Sequence, residues 1–370
     1  MQRLAFPNQD AATLLRLLAD PAAVRGLSLD DWDRVVRAGR ASRLLGTLRQ
    51  RLADAGALDA VPAPVRSHLE SEAAVARYRK QMARRDLHEL AAALAGLPGP
   101  TVLLKGAAYI VQGLALADGR MVSDVDLLVP RERLAAVEAR LREAGWRPGE
   151  VDPYDERYYR EWSHEVPPMR FPGSALELDL HHGILPPIAR VTADPAALFA
   201  GARPAPGSAF RVLAPEDQVL HACVHAFVDS DLADRLRDIV DLDGLLRELA
   251  AEPGFWDRLC DRARALGLAR ALWYGLRYPA LLLGTPVPDA AWRALDSHAP
   301  GAPVRRLMDW LVARVTPPAP VDAGRSVGRS LARTLALIRY FWIRMPLPIL
   351  VRHAAVKGAR RLFPRAASAS

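Results

Sequence analysis

The chain has 370 residues, enough for two or three compact units of ordinary domain size. Hydrophobic residues make up 51% of it and charged residues 25%, a balance that excludes an intrinsically disordered protein. The formal net charge is +8, but residues 301–370 alone carry +11 and the remaining 300 residues −3. The basic character therefore belongs to the C-terminal tail and says little about the rest of the chain.

The cysteine and lysine content narrows the class of protein further. Two cysteines, Cys223 and Cys260, exclude a disulfide framework and a Cys-based zinc site, and both are expected to be buried in helices. Only Lys80, Lys105 and Lys357 are lysines among the 50 basic residues, an arginine bias that suggests a bacterial source. The N-terminal MQRLAFPNQDAATLL has no basic region followed by an apolar run, which predicts a cytoplasmic location.

Residues 1–95 are predicted to form an N-terminal helical region. Apolar residues recur at helical spacing in AATLLRLLAD and in VRSHLESEAAVARYRKQMARRDLHELAAALAG, and no catalytic pattern occurs there. The segment LPGP at 97–100 interrupts this periodicity. A new unit is therefore expected to begin near residue 96.

Residues 96–205 have the pattern of a small catalytic domain. TVLLKG at 101–106 predicts a buried strand that ends at a glycine, and SDVDLLV at 123–129 predicts an alternating strand. A helix is predicted after each of them, and further strands are predicted at 162–171 and 175–182. This order predicts an α+β fold, in which a small mixed sheet is flanked by N-terminal and C-terminal helical regions.

The remainder of the chain is predicted to be helical. Residues 206–316 form a helical domain, and residues 317–370 a basic amphipathic tail, which opens at PPAP, is expected to break near Pro346 and Pro348, and frays at RAASAS. No stretch reaches about 18 uninterrupted apolar residues, so the tail is not predicted to span a bilayer. Three interpretations stay open: contact with an anionic membrane surface, contact with nucleic acid, and, favoured, a cap on the acidic body of the protein.

Carboxylates on two predicted strands carry the chemistry. Asp124 and Asp126 are two residues apart, so their side chains share one face of a strand and repel unless a cation lies between them. Glu177, Asp179 and His181 likewise share one face of a later strand, whose leucines are expected to face the core. Acidic oxygens from two strands suit divalent metal ions and a two-metal transfer to a hydroxyl.

This constellation resembles the polymerase-beta-like nucleotidyltransferase superfamily, and specifically a bacterial family of uncharacterised nucleotidyltransferases. The motifs that carry the resemblance are LLKG at 103–106, RMVSDVDLLV at 120–129 and DLH at 179–181. They cover residues 95–190, and the resemblance extends more loosely into LRDIVDLDGLL after residue 210.

The resemblance implies an activity and a metal requirement. Two Mg²⁺ ions, or Mn²⁺, would be held mainly by Asp124 and Asp126, with Asp179 as the third carboxylate, which orients or deprotonates an acceptor hydroxyl. A nucleoside monophosphate would pass from an NTP, most simply ATP, to a hydroxyl or phosphate of an unidentified acceptor, for which a small molecule or a peptide natural product is favoured. A non-catalytic nucleotide-binding or regulatory module of the same fold is the alternative.

Five further residues are expected near the substrate. Gly106 suits a turn in which backbone N–H groups approach phosphates, and Lys105 and Arg120 would balance phosphate charge. Ser123 can donate a hydrogen bond to a phosphate oxygen, and His181 can orient Asp179 or contact substrate. The residues after Gly106 are alanines, so the serine of better-known superfamily members is missing from this turn.

Other polar patterns are interpreted structurally. His221 and His225 have a spacing that can bind zinc, but ordinary polar contacts are favoured. The later helices carry Arg237, Asp238, Asp241 and Asp243, which can line an acceptor pocket, but a solvated helix face is favoured. The segment ERYYREWSHEV is either a wall near the nucleotide or a half-exposed strand.

Overall fold

A computed structural model describes residues 6–319 and 326–362, with side chains up to residue 356. The N-terminal region is helical, as predicted. Asn8 caps the first helix, and Ser28 and Asp31 form a capping box on the second. Its four α-helices are α1 (Gln9–Ala19), α2 (Leu29–Ala41), α3 (Leu45–Asp54) and α4 (Ala63–Ala93).

A seven-stranded mixed sheet follows, which confirms the α+β prediction. Its strands are β1 (Val102–Leu104), β2 (Asp124–Leu128), β3 (Arg147–Pro148), β4 (Met169–Arg170), β5 (Glu177–His181), β6 (Arg203–Pro204) and β7 (Arg211–Val212). Their order across the sheet is β3-β4-β5-β2-β1-β7-β6. Strand β2 lies antiparallel to β1 and parallel to β5, so the strands that carry the acidic motifs are neighbours in the middle of the sheet.

Four helices connect the strands, namely α5 (Lys105–Gln112), α6 (Leu134–Glu143), α7 (Pro153–Trp162) and α8 (Pro195–Gly201). One strand prediction is too long, because the range 162–171 holds only the short strand Met169–Arg170 and an isolated β-bridge from Glu165 to His181. The possibility that ERYYREWSHEV is a half-exposed strand is wrong for its aromatic part, which lies in α7. Asp152 caps that helix by accepting hydrogen bonds from the N–H groups of Tyr154 and Asp155.

The helices after the sheet are α9 (Pro215–Phe227), α10 (Leu236–Leu249), α11 (Phe255–Ala265), α12 (Ala269–Leu283), α13 (Asp289–Ala294), α14 (Ala302–Val315), α15 (Val327–Arg344) and α16 (Leu347–Leu362). Cys223 and Cys260 are buried in α9 and α11, as predicted. The tail helix breaks at Met345, next to Pro346, which is also as predicted. Pro320 of the expected linker and the terminal RAASAS lie outside the described residues.

The buried apolar side chains of all these regions form one continuous cluster, from Phe6 in the N-terminal segment to Ala336 in α15. The helical regions therefore pack on the sheet, and the domain boundaries at 95, 205 and 316 stay predictions. None of the helices in the described ranges is long and apolar enough to cross a membrane.

Candidate active site

The carboxylates of the two acidic motifs lie on one face of the sheet. In the parallel register of β2 and β5, Asp124 is opposite Glu177 and Asp126 is opposite Asp179. Register partners on neighbouring strands point to the same side. The alternate residues Leu178 and Leu180 are fully buried on the other side. The sheet therefore places Asp124, Asp126 and Asp179 on one face, while leucines on its opposite face pack into the apolar core.

Asp126 is the buried centre of this group, with only 1% of its surface exposed. Its Oδ1 atom accepts a hydrogen bond from Lys105 Nζ at 2.8 Å and lies 2.9 Å from His181 Nε2. Burial raises the pKa of Asp126, but the Lys105 ammonium and the His181 hydrogen bond outweigh it, so the pKa lies well below its usual range. Its Oδ2 atom is buried and has no hydrogen-bond partner among the described residues.

Lys105 owes its position to a strained turn. It is the first residue of α5, directly after β1, and its φ of 44° lies in the left-handed region that non-glycine residues rarely adopt. Burial lowers the pKa of Lys105, but Asp126 and Asp124 more than offset this and raise it. The lysine therefore stays charged, and it neutralises the buried Asp126.

Asp179 has a different electrostatic environment from Asp126. Burial, followed by repulsion from the Asp126 carboxylate, raises the pKa of Asp179 to about 7. His181 offsets part of this, while Glu165 and Asp124 add to it. The three carboxylates therefore have less neutralising positive charge near Asp179 than near Asp126, which is paired with Lys105.

A cavity of about 470 Å³ is lined by Lys105, Asp124, Asp179 and His181, and Asp126 lies behind them. Four helices also contribute lining residues: Tyr158 and Tyr159 from α7, His221 and His225 from α9, Arg237 and Asp241 from α10, and Tyr340 and Arg344 from α15. The volume lies within the range of about 300–1,000 Å³ that small-molecule sites usually have. Tyr158 and Tyr159 line this cavity, although the sequence did not predict a helix at their position.

Gly106 and Arg120 are in contact with each other. A Cβ atom on Gly106 would lie 2.5 Å from Arg120 Nη1, so the missing side chain makes room for a buried guanidinium. Arg120 pairs with Asp241, with Nε and Nη2 at 2.9 and 2.8 Å from Oδ2, and lies 5.5 Å from the ring centre of Tyr109. Arg120 thus joins the sheet domain to α10 while lining the cavity.

Ser123 is half-buried immediately before β2, and its side chain makes no hydrogen bond with the described part of the chain. A contact between Ser123 and substrate stays a prediction. His181 forms a hydrogen bond with Asp126, although the sequence interpretation expected Asp179 to be its partner.

Three charged residues on α10 line the cavity, a position that the sequence interpretation considered but did not favour. Arg237 donates a hydrogen bond to the Met121 carbonyl at 3.2 Å and has no carboxylate partner among the described residues. Asp241 binds Arg120, and Asp238 lies 3.3 Å from Arg235 Nη1. The spacing of four residues between Arg237 and Asp241 puts both on one helix face, and this face turns toward the sheet instead of solvent.

The tail also contributes to the cavity. Arg344 of α15 is buried, forms an ion pair with Asp229, and donates from Nε to the Tyr158 hydroxyl at 2.9 Å. Arg329 Nη2 lies 3.1 Å from Asp234. The described tail therefore packs on the acidic body of the protein, in line with the favoured interpretation. Membrane and nucleic-acid contacts stay predictions.

The two α9 histidines make no shared metal site in the described structure. Burial lowers the pKa of His221 to about 3, and His225 lies 3.2 Å from Arg235 Nη1 and 3.7 Å from Asp238. Polar contacts of this kind agree with the structural interpretation.

The model of a family described as uncharacterised nucleotidyltransferases matches residues 28–284 of the chain. The chain belongs to this family. The matched residues include α2 to α4 and α9 to α12 as well as the motif region. Membership of this family supports a general role in nucleotidyl transfer.

Two other comparisons add little about function. A crystal structure described as a "putative nucleotidyltransferase from H. pylori" is similar to the chain, with 15% sequence identity and a TM-score of 0.30. The alignment covers 60% of this chain and 92% of that one. No curated protein matches the sequence.

Proposed function

We propose that this nucleotidyltransferase moves a nucleoside monophosphate from an NTP, most simply ATP, to a hydroxyl or phosphate of an acceptor, with Mg²⁺ or Mn²⁺ as cofactor. One observation carries the proposal: Asp124, Asp126 and Asp179, from two adjacent parallel strands, lie on one face of the sheet beside a cavity. Membership of the nucleotidyltransferase family supports it. We assign the family to the polymerase-beta-like superfamily on the same motifs.

The residues present fit a magnesium site. Carboxylate oxygens are the ligands that Mg²⁺ prefers, and Asp126 Oδ2 is a buried acceptor with no partner among the described residues. Asp124, Asp126 and Asp179 would hold the metal ions, and the full site would contain two ions. Bound divalent ions neutralise triphosphate charge and make a hydroxyl more acidic.

Side chains of the protein bind the phosphate and accept the proton of the acceptor. Arg237, which has no carboxylate partner in the described structure, binds phosphate oxygens, and Lys105 keeps Asp126 ionised. Asp179, whose pKa is raised by burial and by Asp126, orients the acceptor hydroxyl and takes its proton. The acceptor oxygen forms a bond to the α-phosphorus, the bond from that phosphorus to the bridging oxygen breaks, and pyrophosphate leaves.

The cavity favours a small acceptor group. A volume of about 470 Å³ suits a nucleotide together with one reacting hydroxyl or phosphate, so a small molecule or the side chain of a peptide natural product fits better than a folded surface. Tyr158 and Tyr159 offer aromatic rings for the base or the acceptor.

Equilibrium binding of each labelled NTP tests the proposal. Full-length protein with Mg²⁺ should bind at least one NTP, and EDTA should abolish most of that binding. Asp124→Asn should remove the metal-dependent part while the protein stays folded, because Asp124 has no ion-pair partner among the described residues. Absence of NTP binding at millimolar concentration would contradict the proposal. Normal cellular function in Asp124→Asn would favour the non-catalytic module instead.

A further inference from the structure

We propose that His164, Glu165 and His181 form a separate site for a transition-metal ion of the Zn²⁺ class, beside the three aspartates. One ligand atom from each of these residues lies within 4.8 Å of the other two. All three side chains line the cavity. The inference does not depend on nucleotide chemistry, and a metal ion alone can test it.

Two unpartnered nitrogen atoms point to a ligand. His164 and His181 are 6% and 3% exposed, and the Nδ1 atom of each is buried without a hydrogen-bond partner in the described structure. Buried polar atoms are rarely left unpaired, because burial removes their water without replacing it. Two such nitrogens from adjacent rings, 5.4 Å apart between centroids, are what a shared cation would satisfy.

The opposite ring nitrogens already face carboxylates. His181 Nε2 lies 2.9 Å from Asp126 Oδ1, and His164 Nε2 lies 3.6 Å from Asp229 Oδ2. A histidine that donates its Nε2–H to a carboxylate keeps a lone pair on Nδ1. Metal-binding histidines usually have this outer carboxylate, which orients the ring and increases its basicity. The Nδ1 atom of each ring is therefore the nitrogen left available for a ligand.

Glu165 supplies the oxygen ligand. Its Oε2 atom lies 3.6 Å from His181 Nδ1, and its side chain is 28% exposed toward the cavity. Two imidazoles and one carboxylate are a typical set for Zn²⁺ in open sites, where water or substrate is the fourth ligand. Mg²⁺ prefers oxygen ligands alone, so this cluster and the aspartates would select different ions.

The charges around the cluster favour a cation. Three carboxylates lie beside the two rings: Asp126 and Glu165 next to His181, and Asp229 next to His164. This concentration of acidic groups attracts a cation to the cluster.

Metal content of the full-length protein without a polyhistidine tag tests the inference. The protein is stripped with EDTA, incubated with Zn²⁺ alone, dialysed and analysed by mass spectrometry. We expect one Zn²⁺ per chain, and Co²⁺ in its place should give the visible absorption of a four-coordinate ion. Glu165→Gln and His164→Ala should each weaken Zn²⁺ binding at least tenfold.

His221→Asn is the matched control, since His221 is a buried histidine of the same cavity outside the cluster. It should keep wild-type Zn²⁺ binding. Should His164→Ala fail to fold by circular dichroism, the half-exposed Glu165→Gln decides. No Zn²⁺ in the wild type, or equal losses in His221→Asn, would overturn the inference. Absent Zn²⁺ with intact Mg²⁺-dependent NTP binding would reject this site and leave the proposed function standing.

Discussion

The buried ion pair between Lys105 and Asp126 makes Asp126→Asn costly for stability. Asp126 is 1% exposed, and the side chain of Lys105 is only 18% exposed. The neutral amide would leave the ammonium without its partner in a poorly hydrated place. Removing one member of a buried ion pair typically costs about 3–5 kcal/mol. We expect the free energy of unfolding to fall by about 3 kcal/mol, the lower end of this range, because Lys105 keeps some contact with water.

Urea denaturation followed by circular dichroism measures this loss. Two further variants separate the ion pair from other effects of the substitution. Asp124→Asn, at a half-buried carboxylate without an ion-pair partner in the described structure, should change the free energy of unfolding by less than about 1 kcal/mol. The double variant Lys105→Met, Asp126→Asn should recover most of the loss, because an apolar replacement for a buried pair is often neutral.

The reasoning would be refuted if Asp126→Asn unfolded at the same urea concentration as the wild type. It would equally fail if the double variant were no more stable than Asp126→Asn alone. The result also bears on enzymology: loss of activity in Asp126→Asn mixes folding with chemistry, so Asp124→Asn is the cleaner variant for activity.

Three other substitutions follow from the contacts around the cavity. Gly106→Ala should lower the free energy of unfolding by about 1–3 kcal/mol in urea denaturation, because its methyl group would displace the buried Arg120 guanidinium. Arg237→Ala should weaken NTP binding about 10- to 100-fold in equilibrium dialysis, since a hydrogen bond to a charged group contributes about 1.5–3 kcal/mol. Arg344→Ala should make α15 more sensitive to limited proteolysis, because it leaves the buried Asp229 without its cation.

Matched controls make these results specific. Gly26→Ala should be nearly neutral, because a Cβ at Gly26 would meet no atom within 4 Å. Arg25→Ala removes an exposed arginine far from the cavity lining and should leave NTP binding unchanged. A neutral Gly106→Ala would mean that Arg120 does not need the space. Unchanged NTP affinity in Arg237→Ala would remove this residue from the proposed phosphate site.

Local patterns in the sequence were enough to identify the acidic strands. Alternation in ELDLH separates the buried leucines from Glu177 and Asp179, and the spacing of Asp124 and Asp126 puts them on one face. The convergence of the two motifs depends on β2 and β5 being neighbours, which the resemblance implied but spacing does not. Whether these residues hold metal and nucleotide stays a prediction.

Other parts of the cavity have no local signal. Arg344 meets Asp229 across 115 residues of sequence, so only tertiary packing shows that part of the basic tail is internal. The sequence left the segment with Tyr158 open between a wall near the nucleotide and a half-exposed strand, whereas the Asp152 cap and Pro153 start a helix there. Arg237 and Asp241 are four residues apart, a spacing that is typical of a solvated helix face. Their partners, the Met121 carbonyl and Arg120, come from a distant segment, so the local sequence does not show that this face is covered.

The position of the radioactive label after transfer tests the central claim most directly. Full-length protein and Mg²⁺ are incubated with a cell lysate and ATP labelled at either the α- or the γ-phosphate, with Asp124→Asn in parallel. We predict that an acceptor gains the α-label, that the γ-label leaves as pyrophosphate, and that Asp124→Asn transfers neither. An acceptor labelled from the γ-phosphate, or equal α-labelling by Asp124→Asn, would contradict the account.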